Sequence, residues 1–165
     1  MKDFLLIGNM NAITYKEIFP LIKNNKIRTG YKGFSGGMNF FVDEPNYDAS
    51  KEKQASKISD GKIVKNISGC IWLTTLPTSN KKKLILTKKY NSALYPRYDN
   101  YNAINVDKIK DIPYDYDGVM GVPITIFQYD LDNVEIVGEK TKNGKATKIN
   151  GKEKYRRVLI RRKQL

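Results

Sequence analysis

The chain has 165 residues, with 30 Lys and Arg against 17 Asp and Glu, no histidine and one cysteine. This length fits one domain or a core with an appended lobe, and a net charge of +13 points to polyanionic partners, phosphate backbones first. The inventory excludes an internal disulfide, a multi-cysteine zinc site, a Ser-His-Asp triad, a Cys-His pair and any histidine-bound metal.

The N-terminal run Phe4–Ile7 ends at Gly8 and reads as a buried strand, of the kind covered on both faces in a parallel sheet. It is too short for a secretory signal. In NAITYKEIFPLIKNNK, Thr14 and Glu17 match a capping box, and Ile18, Leu21 and Ile22 form the stripe of a short helix. Pro20 kinks that helix or marks where it starts, and Asn24 and Asn25 suit its end. Ile27–Tyr31 is the next strand, so the chain opens strand, helix, strand, the repeat of a parallel sheet.

GYKGFSGGMNFFV carries Gly30, Gly33, Gly36 and Gly37 but matches neither a dinucleotide fingerprint nor a P-loop. It reads as a turn leading into a strand, MNFFV. Asp43–Lys62 is polar and reads as an exposed loop. GCIWLTTL, Gly69–Leu76, is a strand. Cys70 lies in this apolar run and reads as an inert core thiol; a lone cysteine suits a reducing, cytoplasmic setting. KKKLILTKKY reads as a strand with basic ends around Leu84, Ile85 and Leu86. Tyr90–Asn105 has no period and reads as an irregular segment with its tyrosines partly packed, continuing through IPYDYD.

DGVMGVPITIF, Asp117–Phe127, contains no basic residue. Gly118 and Gly121 permit tight turns and Pro123 can start a helix, so the stretch reads as a structural hinge on the inner side of a lobe whose arginines lie outside. VEIVGE is a strand, Asn143-Gly144 and Asn150-Gly151 favour hairpins, and YRRVLIRRK is a final strand centred on Val158, Leu159 and Ile160. No stretch is long and apolar enough for a transmembrane helix.

Asp115 and Asp117 share a face if extended and could hold a cation, but as loop-capping carboxylates they need no further ligand. The basic residues fall in three groups. Lys81, Lys82 and Lys83 follow a turn. Lys88, Lys89 and Arg97 interleave with Tyr90, Tyr95 and Tyr98. Arg156, Arg157, Arg161 and Arg162 bracket the final strand. Arginine forks and tyrosine rings suit phosphate contact and base stacking, so these ten residues are the expected nucleic-acid-binding set. No catalytic, cofactor-binding or metal-binding residue is assigned.

FLLIGNMNAITYKEIFPLIKNNKI, GCIWLTTL, YPRYDNYNAINVDKIKDIPYDYDGVMGVPITIF and INGKEKYRRVLIRRK resemble, in order, the C-terminal half of the EcoRI-type adenine-specific DNA methyltransferases. The resemblance implies an α/β fold: the late strands of a Rossmann-like methyltransferase sheet with an appended β-rich, DNA-facing lobe. It implies one domain over residues 1–165, with 1–42 and 69–76 as late core strands and 77–165 as the recognition lobe. The complete family enzyme methylates the N6 of adenine with S-adenosylmethionine and flips its target base. The family's Asn/Asp-Pro-Pro-Phe/Tyr motif has no counterpart here, since the sequence contains no Pro-Pro, and the donor-binding glycine motif is missing too. The implied function is therefore the target-recognition half, inactive alone and without a cofactor of its own. Its expected partners are duplex DNA or other nucleic acid and an N-terminal methyltransferase half, with no membrane. The alternative is a stand-alone phage or mobile-element protein derived from a methyltransferase that binds a host defence protein and inhibits a nucleoprotein nuclease.

Overall fold

The computed structural model describes residues 2–30, 34, 37–42, 57–59, 62–78, 81–140 and 146–163. It divides into two compact units, Met1–Thr78 and Ser79–Leu165. Strands dominate both, and their pairing is mixed. Among the described residues no helix is long and apolar enough to cross a membrane.

The first unit holds β1 (Leu5–Asn9), α1 (Phe19–Lys23), β2 (Arg28–Thr29), β3 (Met38–Val42), β4 (Lys57–Ser59), β5 (Lys62–Ile67) and β6 (Cys70–Thr74). One sheet has the order β1-β6-β2, and both outer strands run antiparallel to β6. β1 and β2 thus point the same way, as a strand-helix-strand unit requires, but β6 lies between them. The expected adjacent parallel pair is corrected accordingly. The second sheet, β3-β5-β4, is an antiparallel meander.

The expected helix shrinks to five residues. Asn9 caps a 3-10 turn over Met10–Thr14, its side chain accepting from the Asn11 amide at 2.8 Å. The Thr14 hydroxyl donates to the Asn11 carbonyl at 2.9 Å. α1 begins only beside Pro20, whose fixed φ and missing N–H are tolerated in the first helical turn. Asn25, at φ 56°, ends it. Ile13, Phe19, Ile22, Ile27, Ile71 and Leu73 are buried. The expectation of a buried first strand fails: Leu5, Leu6 and Ile7 are exposed. The Asp43–Lys62 loop is corrected at its end, where Lys57–Ser59 forms β4 and Lys62 starts β5; residues 43–56, 60 and 61 lie outside the described set. The glycine-rich turn and Asn143-Gly144 also lie largely or wholly outside it.

The second unit holds β7 (Ile104–Asn105), β8 (Met120–Pro123), β9 (Val134–Lys140), β10 (Lys148–Ile149), β11 (Lys152–Glu153) and β12 (Arg157–Arg162). Its four-stranded sheet has the order β7-β8-β12-β9, with β7 parallel to β8 and the other pairs antiparallel. Val158, Leu159 and Ile160 lie at its centre, between Met120–Val122 and Ile136–Glu139. Ile104, Met120, Val122, Ile126, Val158 and Ile160 are solvent-inaccessible.

DGVMGVPITIF is not a hinge. Its middle is β8, an interior strand, and Pro123 leads into a 3-10 turn over Ile124–Gln128. The stretch carries no basic group because both its neighbours in the sheet bury it. KKKLILTKKY is likewise not a strand. Only Lys82 and Lys88 make isolated bridges, to Tyr129 and Pro113, while Leu84 is buried and Ile85 exposed.

Asn150 and Gly151, at φ 50° and 73°, turn β10 into β11 with the two positive φ values a two-residue hairpin requires. Asp99 accepts from both turn amides, at 3.2 and 2.8 Å. An added Cβ at Gly151 meets nothing within 4 Å, so Gly151→Ala costs only backbone strain. The expected loss is about 1 kcal/mol, read as a lower urea midpoint at unchanged slope.

Candidate nucleic-acid interface

All ten predicted residues lie in the second unit. Lys82 and Lys83 are exposed just before Leu84, which is buried and anchors the chain. The Lys82 amide donates to the Gln128 carbonyl at 3.0 Å, and the Lys82 carbonyl accepts from Asp130 at 2.8 Å. An otherwise irregular segment is thereby held in place with its ammonium groups outward. Lys81, beside them, is half-buried. Lys88 and Lys89 are also exposed, and the Lys88 carbonyl accepts from the Tyr114 amide at 2.9 Å.

Next to Lys88 and Lys89 the Tyr90 ring stacks on Tyr95 at 5.7 Å and lies against Tyr116 at 4.6 Å. The Tyr95 hydroxyl donates to the Asp111 carbonyl at 2.8 Å. Burial raises the pKa of Tyr95, with the carboxylates of Asp111 and Asp115 adding to it. Burial also raises that of Tyr116, opposed by the nearby Arg97 charge. Both phenols therefore stay neutral at physiological pH. Asp115 accepts from the Tyr90 amide at 2.7 Å and ties the two halves of this cluster together. Arg97 is exposed and donates to Asn102 at 3.1 Å.

The arginines around β12 behave differently. Arg161 faces Glu135 directly across β9 and donates to its Oε1 through Nε and Nη2 at 2.8 and 2.6 Å. Arg162, on the opposite face, reaches Asp117 at 3.4 Å. Asp117, Glu135, Arg161, Arg162 and Lys163 line an open cavity of about 460 Å³. Arg156 lies over the Tyr155 ring at 5.7 Å.

Arg157 corrects the expectation that the arginines lie outside, since it is 9 % exposed and turned into the unit. Its Nε donates to Asn105 Oδ1 at 3.1 Å, its Nη1 to the Tyr155 carbonyl at 3.0 Å and its Nη2 to Asp107 at 2.8 Å. Asn105 Oδ1 also accepts from the buried Tyr98 hydroxyl at 2.8 Å, and Asn105 Nδ2 donates to Asp107 at 2.9 Å. The Asn105 bond, with Lys154 and Arg157 nearby, holds the Asp107 carboxyl below its usual pKa despite partial burial. Burial raises the Tyr98 pKa, opposed by Arg157.

The geometry thus separates two kinds of basic residue. The arginines of β12 have carboxylate partners within the unit, which neutralise much of their field. The lysines of the 82–89 segment project into solvent, where phosphate can replace water. Lys108, exposed at the N-cap of a 3-10 turn over Ile109–Asp111, Lys110, exposed within that turn, and Lys163 at the cavity were not in the predicted set. Their signal in the sequence was only their charge.

The family profile described as adenine-specific methyltransferase EcoRI matches residues 1–163. The chain belongs to this family. It is 45 % identical to the type II methyltransferase M.EcoRI of Escherichia coli over 99 % of its own length and 51 % of that protein's. It is 32 % identical to the type II methyltransferase M.MgeORF184P of Mycoplasma genitalium, covering 99 % of this chain and 58 % of the relative. With the type II methyltransferase M.MpnI of Mycoplasma pneumoniae the identity is 29 %, over 99 % and 57 %. The chain therefore spans little more than half the length of these EcoRI-family methyltransferases. No solved structure gives a significant match.

Proposed function

We propose that this chain is the DNA-facing half of an adenine-N6 DNA methyltransferase. It grips duplex DNA through the second unit and depends on the rest of the enzyme for methyl transfer. The observation that carries this reading is the family match over nearly the whole chain combined with its span of about half of each relative. The first unit supports it. Two same-direction strands joined through a helix, with an antiparallel strand inserted between them, fit the final strands of a Rossmann-like methyltransferase sheet.

Within the reading, Lys82, Lys83, Lys88 and Lys89 meet the phosphate backbone and fix the register of the duplex. Arg97 and the tyrosine cluster lie beside them. Arg161, Arg162 and Lys163 form a second contact point, where a phosphate would compete with Glu135 and Asp117. Arg157 serves by holding β12 against Asn105 and Asp107. The charged lining of the cavity at Asp117, Glu135, Arg161 and Arg162 does not fit the adenine of S-adenosylmethionine, and this reading leaves the donor to the other portion of the enzyme.

Fluorescence anisotropy with a labelled duplex across a salt series tests this. Binding should weaken linearly in log-log form, by a slope of about −0.9 per phosphate neutralised. Lys82→Glu with Lys83→Glu should raise Kd about tenfold at low salt, which is about 1.4 kcal/mol, and flatten the slope. Binding that ignores salt, or methyl transfer by this chain alone, would overturn the reading.

A further inference from the structure

Leu94 is the most exposed large apolar side chain among the described residues, at 71 %. Isolated exposed leucines are common on protein surfaces, but this one is held outward by a braced turn. The Leu94 amide donates to the Asn91 carbonyl and the Ala93 amide to Asn91 Oδ1, both at 2.9 Å. Before the turn, the Tyr90 amide is fixed on Asp115. After it, Tyr95 is buried with its ring stacked on Tyr90, and the Pro96 carbonyl accepts from the Asn105 amide of β7 at 2.8 Å. The backbone on either side of Leu94 is therefore set before any ligand arrives, and little ordering cost remains on contact.

The surroundings select the ligand. Lys88, Lys89 and Arg97 are exposed around the same tyrosine cluster, and residues 90–97 contain no acidic group. An apolar side chain among cations suits a partner that is anionic outside and apolar within. A DNA duplex is such a partner, with phosphates outside and base faces that are reached by insertion between them. Chemistry at the N6 of adenine takes that base out of the stack and leaves a gap that an apolar wedge can fill. We propose that Leu94 is this wedge, entering the base stack at the extruded adenine while Lys88, Lys89 and Arg97 hold the flanking phosphates. It acts on the neighbours of the target base rather than on the reacting amine, and so is a positioning residue. This rests on the DNA-facing reading above.

The probe is a labelled duplex with one central abasic site and 2-aminopurine beside it, compared with the same duplex intact. A gap removes the unstacking cost of insertion, so the parent should bind the abasic duplex about tenfold more tightly, and the 2-aminopurine should brighten as it loses its stacking partner. Leu94→Ala should abolish both effects while keeping the salt slope, the affinity for the intact duplex and the melting midpoint of the parent. Leu94→Phe, which is still an apolar wedge, should keep both effects. Lys82→Glu with Lys83→Glu should weaken binding to both duplexes and leave their ratio unchanged, so failure of the wedge is distinguishable from failure of the DNA-facing reading. The gap preference should also persist with the unmatched part of Escherichia coli M.EcoRI present. Its loss there would mean that protein covers Leu94 and would overturn the proposal. Salt-dependent binding with no preference for the gap, as expected of a leucine that only touches a thymine methyl in the groove, would overturn it too, as would a preference that survives Leu94→Ala.

Discussion

Asp107→Ala should lower the unfolding free energy of the second unit by about 3 kcal/mol, more than removal of its arginine partner. A buried ion pair broken on one side costs most when the group left behind is the buried one. Here Arg157 has only 10 % of its side chain exposed, whereas Asp107 has 60 %. Without Asp107 the guanidinium keeps Asn105 and the Tyr155 carbonyl but loses its counter-ion, and little water can reach it. Arg157→Met leaves a carboxylate that rehydrates, and the methionine fills part of the space once taken by the arginine stem. Its expected cost is about 1 kcal/mol, mostly the Asn105 and Tyr155 hydrogen bonds. The double variant should therefore be more stable than Asp107→Ala alone. Urea unfolding of the four proteins measures this, and a double variant no better than Asp107→Ala would refute the asymmetry.

The pH dependence follows with a definite sign. The folded pKa of Asp107 lies below its ordinary value. Its stabilising contribution is therefore fully present above the unfolded value, about pH 4, and is lost as pH falls through the folded value. The gap between the parent and Asp107→Ala should be flat near neutrality and close at more acidic pH. A gap that closes on raising the pH would contradict the cause assigned here.

Gly121→Ala should cost a comparable amount, about 3 kcal/mol, at the upper end of overpacking. A Cβ at Gly121 would overlap the Tyr98 hydroxyl and lie 2.7 and 2.8 Å from Tyr98 Cε2 and Cζ. The ring cannot simply retreat. It is buried, and its hydroxyl donates to Asn105, with the Gly121 carbonyl 3.3 Å away. Any shift that admits the methyl group therefore disturbs the acceptor shared with Arg157. Gly138→Ala on β9 is the matched control, since its Cβ would meet only Leu159 Cδ1 at 3.9 Å. It should stay within about 0.5 kcal/mol of the parent. Equal effects at the two glycines, read by thermal melting, would exclude the Tyr98 contact as the cause.

What the sequence made legible followed side-chain chemistry. MNFFV, CIWLT, VEIVGE and VLIRR are β-branched or aromatic runs, and each is a strand. β8 was hidden because Gly121 and Pro123 are ordinarily strand breakers. Only the tertiary neighbours reveal that Gly121 makes room for Tyr98 and that Pro123 sits at the strand's end, where a missing donor does no harm. β5 received no reading beyond Lys62, its apolar Ile63, Val64 and Ile67 being interrupted by Lys65 and Asn66. The site shows the same limit. Arg156 and Arg157 are chemically identical neighbours, and the period of two places them on opposite faces without saying which is inside. The partner that decides it, Asp107, lies 50 residues away in sequence.

The position of β12 also bears on how the molecule is made. It is the last strand of the second unit and lies between β8 and β9. During synthesis, β8 and β9 leave the ribosome without the strand that joins them, because they do not pair with each other. The second unit's sheet stays open until Arg157–Arg162 emerge. The first unit, whose strands are all complete by Thr74, can close beforehand. Nascent chains halted before residue 157 should thus protect the first unit from protease and leave the second fully cleavable.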